Sequence, residues 1–156
     1  MPRVLTLFAV VFCAFGLVST ASARPTLSRS EASILSAVNA TRASYHLAPL
    51  RIDAALQRAA RAHTSEMIRS GTFAHGAFST RMRIFHVRGP RMGENLAWGS
   101  GPYGSASSIV QMWLNSPGHR ANLLRPGFRR IGIGAVVTSF QGESGATVVT
   151  ADFAGS

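Results

Sequence analysis

Two short stretches of the chain hold side chains suited to proton transfer or metal ligation. One is Trp113-Leu-Asn-Ser-Pro-Gly-His-Arg-Ala-Asn122 and the other is Gly93-Glu94-Asn95. In the first, Ser116 reads as an N-cap and Pro117 as the first helical residue, where its missing N–H costs nothing and its fixed φ suits the helix. His119 then falls in the first turn, where the positive end of the helix dipole disfavours imidazolium. A neutral ring so placed can accept a proton or ligate a metal. In the second stretch Glu94 reads as a carboxylate in a glycine-flanked turn. A third candidate, His75, lies in the loop word Phe73-Ala-His75. It stands 19 residues before Glu94, and His119 stands 25 residues after it. Such separations are too long for a local motif of the H-E-x-x-H kind, so only the fold can bring the three together.

The elements that must position these residues follow from periodicity and end signals. Ser28-Arg-Ser-Glu31 is a capping box, and Ile34, Leu35, Val38 and Thr41 recur at helical spacing, which predicts a helix over 29–45. A second helix starts after Asp53 as N-cap and stops at Gly71, with Leu56, Ala60, His63 and Met67 on one face. His63 therefore belongs to a buried stripe. It is either a partner of the catalytic candidates or a histidine satisfied by a backbone carbonyl, the commoner arrangement for buried polar groups. A short helix is expected over 80–85 before the Gly89-Pro90 break, a short strand over 95–98, a loop over 99–104 and a helix over 105–115. Strands over 131–137 and 147–153, joined by a polar turn at 141–145, make a hairpin. Trp98, Trp113, Phe128 and Phe153 read as core.

Residues 1–23 read separately. Arg3 precedes an apolar run, and Ala21-Ser22-Ala23 supplies the small residues of a cleavage site, so this is a secretory signal peptide. The run is too short for a spanning helix, which needs about 20 residues, and no later segment is a better candidate. Cys13, the single cysteine, leaves with the signal, so the mature domain over 24–156 is expected to fold without a disulfide. The whole chain carries 16 basic residues, all arginine, against six acids, a formal net charge of +10. That field favours anionic partners such as an envelope component or a lipid. No aromatic-interleaved basic strand or recognised reading motif accompanies it, so no specific nucleic-acid binding is expected. Arg81, Arg83, Arg88 and Arg91 lie between two candidate site residues, and Arg120, Arg125, Arg129 and Arg130 follow the third. These arginines either form a cationic rim or point outward to solvent.

The words Asn39-Ala-Thr-Arg42, Ala48-Pro-Leu50 with Asp53, Ala59-Ala-Arg-Ala-His63, Phe73-Ala-His75, Gly93-Glu-Asn-Leu-Ala97, the 113–122 stretch, Phe128 with Ile131-Gly-Ile-Gly134, and Asp152-Phe153 occur in one order. In that order they resemble the CAP superfamily of cysteine-rich secretory, antigen 5 and pathogenesis-related 1 proteins, and its bacterial members most. The resemblance implies an α+β fold, a three-layer α-β-α sandwich around a small antiparallel sheet. It also places His46 where the family commonly has a helix-closing glycine, which calls for a left-handed backbone there. His75, Glu94 and His119 match three members of the family's cleft tetrad of two histidines and two acids, and the two histidines can bind a divalent metal, usually zinc. The fourth member departs: Ser116 stands where the second acid is expected.

A site of two histidines and one carboxylate can hold zinc with water in the open position, or it can be a polar network lining a cleft. Two functions follow. One is a secreted or periplasmic binding module that engages lipid, an envelope component or a metal through the cleft. The other is a metal-assisted hydrolase of phosphodiester or peptide bonds, with His119 as base, Glu94 as orienter or acid, and a metal on His75 and His119.

Overall fold

The computed structural model describes residues 25–155, so the expected signal peptide and Cys13 lie outside the described residues. Its helices are α1 (Arg29–Ser44), α2 (Ala54–Ser70), α3 (Phe78–Ile84), α4 (Ala106–Asn115) and α5 (Pro117–Leu123). Its strands are β1 (Arg51–Ile52), β2 (Met92–Gly99), β3 (Phe128–Phe140) and β4 (Glu143–Gly155), in the sheet order β1-β3-β4-β2. The long pairings are antiparallel, while the two-residue β1, unforeseen in the sequence, runs parallel to β3.

Local chemistry sets the helix ends. Ser28 accepts from the Glu31 amide and Glu31 from the Ser28 amide, the reciprocal capping box. Asp53 Oδ1 accepts from the amides of Ala55 and Leu56 at 2.9 and 3.0 Å. Gly71 ends α2 at φ 66°, and His46 takes φ 55° just after α1.

Strand alternation sorts side chains into two layers. One face of the sheet carries Ile131, Ile133, Val149, Ala151 and Phe153 against Ile34 and Val38 of α1 and Ile109 and Trp113 of α4. Phe128 and Phe153 stack in this layer with centroids 5.6 Å apart. The opposite face meets α2 and α3 in two apolar clusters, one around Leu56 and Met82 and one around Met67 and Val148. Buried His63, Thr64, Glu94, Thr150 and Asp152 make this second layer partly polar. The helix α2 lies directly on the strand: a Cβ at Gly132 would stand 2.0 Å from the carbonyl carbon of Leu56, and one at Gly134 2.5 Å from Ala60 O. Because β1 is short, Gln57 completes the β3 ladder, donating from Nε2 to Ile133 O at 2.6 Å and accepting from Ile133 N at 2.9 Å.

Several boundaries differ from expectation. The short strand is longer at both ends, and it takes in Gly93 and Glu94, which are extended strand and not a turn. The loop over 99–104 closes as a 3₁₀ turn at Gly101–Gly104, and α3 begins two residues early. Trp98 is half-buried, edge-on to Phe140 at 5.6 Å, whereas Trp113 is fully buried.

Candidate functional site

The strand β2 is the edge of the sheet, and the candidate residues gather along it from both layers. Glu94 projects onto the α2 side, opposite Asp152 of β4 in register. Its side chain is only 3 % exposed. Oε1 lies 2.7 Å from His75 Nδ1, and Oε2 bonds the guanidinium of Arg81 and lies 3.9 Å from His63 Nε2. His75 comes from the loop after α2, is 56 % exposed at the side chain, and faces His119 with ring centroids 6.2 Å apart. All three candidates are therefore in one place.

The loop that carries His75 is pinned from beneath. His63 Nε2 donates to Ala74 O at 3.0 Å and Arg81 Nη1 donates to His75 O at 3.4 Å. Both readings of His63 hold together: it satisfies a backbone carbonyl, and by doing so it fixes the segment next to the site. His119 is held from the other layer. Asn95 Nδ2 donates to His119 O at 2.9 Å, while Asn122 Nδ2 donates to Glu94 O at 3.2 Å and to Asn95 Oδ1 at 3.1 Å. The close approach of α5 requires Gly93, where a Cβ would stand 2.6 Å from Asn122 Oδ1. Ser116 occupies the N-cap position of α5, but its hydroxyl makes no capping bond. The His119 imidazole is pushed below its ordinary pKa, first by burial and second by the charge of His75. The helix dipole predicts neutrality, and burial adds a second cause in the same direction.

Two participants do not stand out in the sequence. Arg81 groups there with the rim arginines, yet it is 7 % exposed, pairs with Glu94 and lies over Phe78, with 5.7 Å from Cζ to the ring centroid. Its signal is helical spacing, since Phe78, Arg81, Met82 and Phe85 share one face and an arginine on such a face needs a buried acid. The cationic-rim expectation is further reduced because Arg130 bonds Asp53 at 2.8 Å and Arg120 lies over the Tyr45 ring, with 5.3 Å from Cζ to the centroid.

Asp152 is the second unforeseen participant. It is fully buried, its carboxyl meets that of Glu94, and among the described residues no other group hydrogen-bonds its oxygens. Burial first, and then the negative charge of Glu94, pushes its carboxyl well above the ordinary value of 3.8, partly opposed by Arg81. The signal is a single acid in the otherwise uncharged run 146–154. A group whose folded pKa is raised contributes stability that is complete below the unfolded pKa and is lost as pH rises through the folded one. Asp152→Asn removes that titration, so the variant is expected to gain stability relative to the parent as pH rises above about 4. Urea midpoints across the range test this, and parallel profiles for the two proteins contradict it.

A three-layer α+β fold with two histidines meeting across an edge strand defines the class of protein, and sequence comparison gives it a family. Residues 35–153 match the cysteine-rich secretory protein family, CAP, and the chain belongs to that family. The uncharacterised protein YkwD of Bacillus subtilis is 35 % identical over 123 residues, which cover 76 % of this chain and 47 % of YkwD. The chain thus spans about half the length of that relative. An extracellular SCP-domain protein of Bacillus anthracis superposes with a TM-score of 0.68 at 26 % identity, covering 81 % of this chain and 40 % of the other. An outer surface protein of Borrelia burgdorferi has the same fold at 23 % identity, with a TM-score of 0.63 and coverage of 81 % and 93 %.

Proposed function

We propose that this CAP domain is a secreted or periplasmic binding module whose cleft takes a divalent metal ion such as zinc on His75 and His119. The observation that carries the reading is the 2.7 Å contact between Glu94 Oε1 and His75 Nδ1. A carboxylate on one ring nitrogen fixes the tautomer and leaves the other nitrogen free to ligate. Zinc–nitrogen bonds are about 2.0–2.1 Å, so two ligating nitrogens must lie within about 4 Å. Rings with centroids 6.2 Å apart can meet that limit through their facing edges. Among the described residues no group of three or more His, Cys, Asp or Glu is arranged to hold a metal ion. Water must therefore complete the coordination, and a readily exchanged ion fits better than a structural one. When bound, the ion supplies Lewis-acid charge to an oxygen ligand in the cleft.

Glu94 is spent on His75 and Arg81 and is nearly inaccessible. It orients and balances charge, and it is poorly placed to protonate a substrate, which favours binding over hydrolysis. Two solved proteins of this fold, each 12 % identical, hold zinc and manganese. Export is supported by the signal-like residues 1–23 and by the extracellular and surface origins of the fold's neighbours. Among the described residues no helix is long and apolar enough to cross a membrane.

Calorimetric zinc titration of the purified protein tests the reading. One ion per chain is expected, with binding lost in His75→Ala and in His119→Ala. Ser116→Glu, which returns an acid to the start of α5, is expected to tighten it by about tenfold, worth about 1.4 kcal/mol. Absence of binding in the parent, or retention in both alanine variants, overturns the metal reading. Unchanged affinity in folded Ser116→Glu shows that position 116 does not face the site.

A further inference from the structure

We propose that the protein has a second site, an anion pocket for a phosphate-bearing group, where the segment joining α5 to β3 meets the start of β2 and the end of β4. This inference does not rest on the metal reading. A cavity of about 320 Å³ opens there, lined by Arg91, Arg125 and Arg129 with Gly127, Phe128 and Gly155. Among the described residues no carboxylate lines it.

Two of its arginines have anchored side chains. Arg125 lies over the Phe128 ring, with 5.4 Å from Cζ to the centroid, and Arg129 Nη1 donates to Pro126 O and, at 3.1 Å, to Phe128 O. Arg91 is anchored through its backbone, its carbonyl accepting from Gly155 N at 2.9 Å. The main chain at Gly127 is open, since a Cβ there would meet nothing within 4 Å. The two anchored guanidinium forks of Arg125 and Arg129, beside an accessible backbone, match the several acceptor oxygens of a phosphate group.

The charge balance behind the pocket points the same way. Arg42 is fully buried and donates to Leu123 O at 2.8 Å, to Arg125 O at 3.2 Å and to Phe128 O at 3.3 Å, so it ties down the pocket wall using only carbonyls. Burial first, and then the neighbouring charge of Arg129, lowers its pKa. The six acids are committed elsewhere. Glu31 pairs with Arg61, Asp53 with Arg130 and Glu94 with Arg81 and His75, while Glu66 faces His63, Glu143 accepts from Ser100 and Asp152 is buried in the sheet. Clustered like charges with no acidic side chain among the described residues beside them favour a bound anion.

A phospholipid headgroup and a soluble phosphate ester offer the same chemistry, and the test separates them. Inorganic phosphate is titrated into the isotope-labelled protein at low ionic strength, and saturable shifts are expected at the Gly127 and Gly155 amides and the Arg125 and Arg129 side chains. Arg125→Gln with Arg129→Gln is expected to weaken binding by at least about tenfold, while Arg58→Gln with Arg69→Gln, an equal charge loss on the exposed face of α2, changes it less than about twofold. Sedimentation with phosphatidylglycerol vesicles, against phosphatidylcholine controls, assigns the source. Phosphate-competed binding to the anionic vesicles points to a headgroup, and phosphate binding without vesicle binding points to a soluble ester. Absence of saturable shifts at Gly127 and Gly155 in the parent overturns the proposal, as does equal weakening in the two double variants.

Discussion

Replacing Trp113 by alanine is expected to cost about 3–5 kcal/mol of stability, the range for removing a large aromatic side chain from a core. Trp113 is fully buried between α1 and the sheet, and its indole N–H donates to Leu96 O at 3.0 Å. The variant loses packing in the larger apolar layer and also leaves a β2 carbonyl without its partner, on the same strand as Glu94. Domains have only about 5–15 kcal/mol in total, so a large share disappears. Chemical denaturation measures the change. A loss under about 1 kcal/mol, typical of exposed positions, would mean that Trp113 does not anchor α4 in the core.

Arg81→Met is expected to be comparably costly, about 3–5 kcal/mol, because it retains most of the side-chain bulk but leaves the Glu94 charge buried and uncompensated. The side chains are 8 % and 3 % exposed, so water does little to screen the pair. Combining Arg81→Met with Glu94→Gln is expected to recover most of the loss, since removing both charges is far less harmful than removing one. If the single change costs under about 1 kcal/mol, the range of solvent-exposed pairs, the buried ion pair is not what holds the site.

The parts of this structure that depend on near neighbours are legible in the sequence. The capping box at Ser28, the Asp53 cap, the Gly71 stop and the burial of His63 and Trp113 each follow from residues within a few positions of one another. Glu94 shows where that reasoning ends. Its flanking glycine suggests a turn, but Gly93 is there because α5 packs against β2, a long-range contact that no local pattern reports. The parallel β1 escapes notice because two residues carry no periodicity, and its pairing depends on where β3 lies. The resemblance of the sequence words brings His75, Glu94 and His119 to one cleft. It includes Asp152 without giving it a role and does not supply Arg81, and both roles come from the register of β2 on β4 and the seating of α3. A charged residue on an apolar face is the available signal in both cases.

In the function proposed above, Glu94 holds His75 through Nδ1 and leaves Nε2 to share a metal ion with His119. Imidazole ¹⁵N spectra recorded during zinc titration test it most directly. A zinc-dependent shift of His75 Nε2 and of one His119 ring nitrogen is expected, saturating together at one ion per chain, while His75 Nδ1 keeps its proton and the exposed His46, after α1, and His86, after α3, do not move. Zinc shifts confined to His46 or His86, or a His75 that ligates through Nδ1 and releases Glu94, would contradict it.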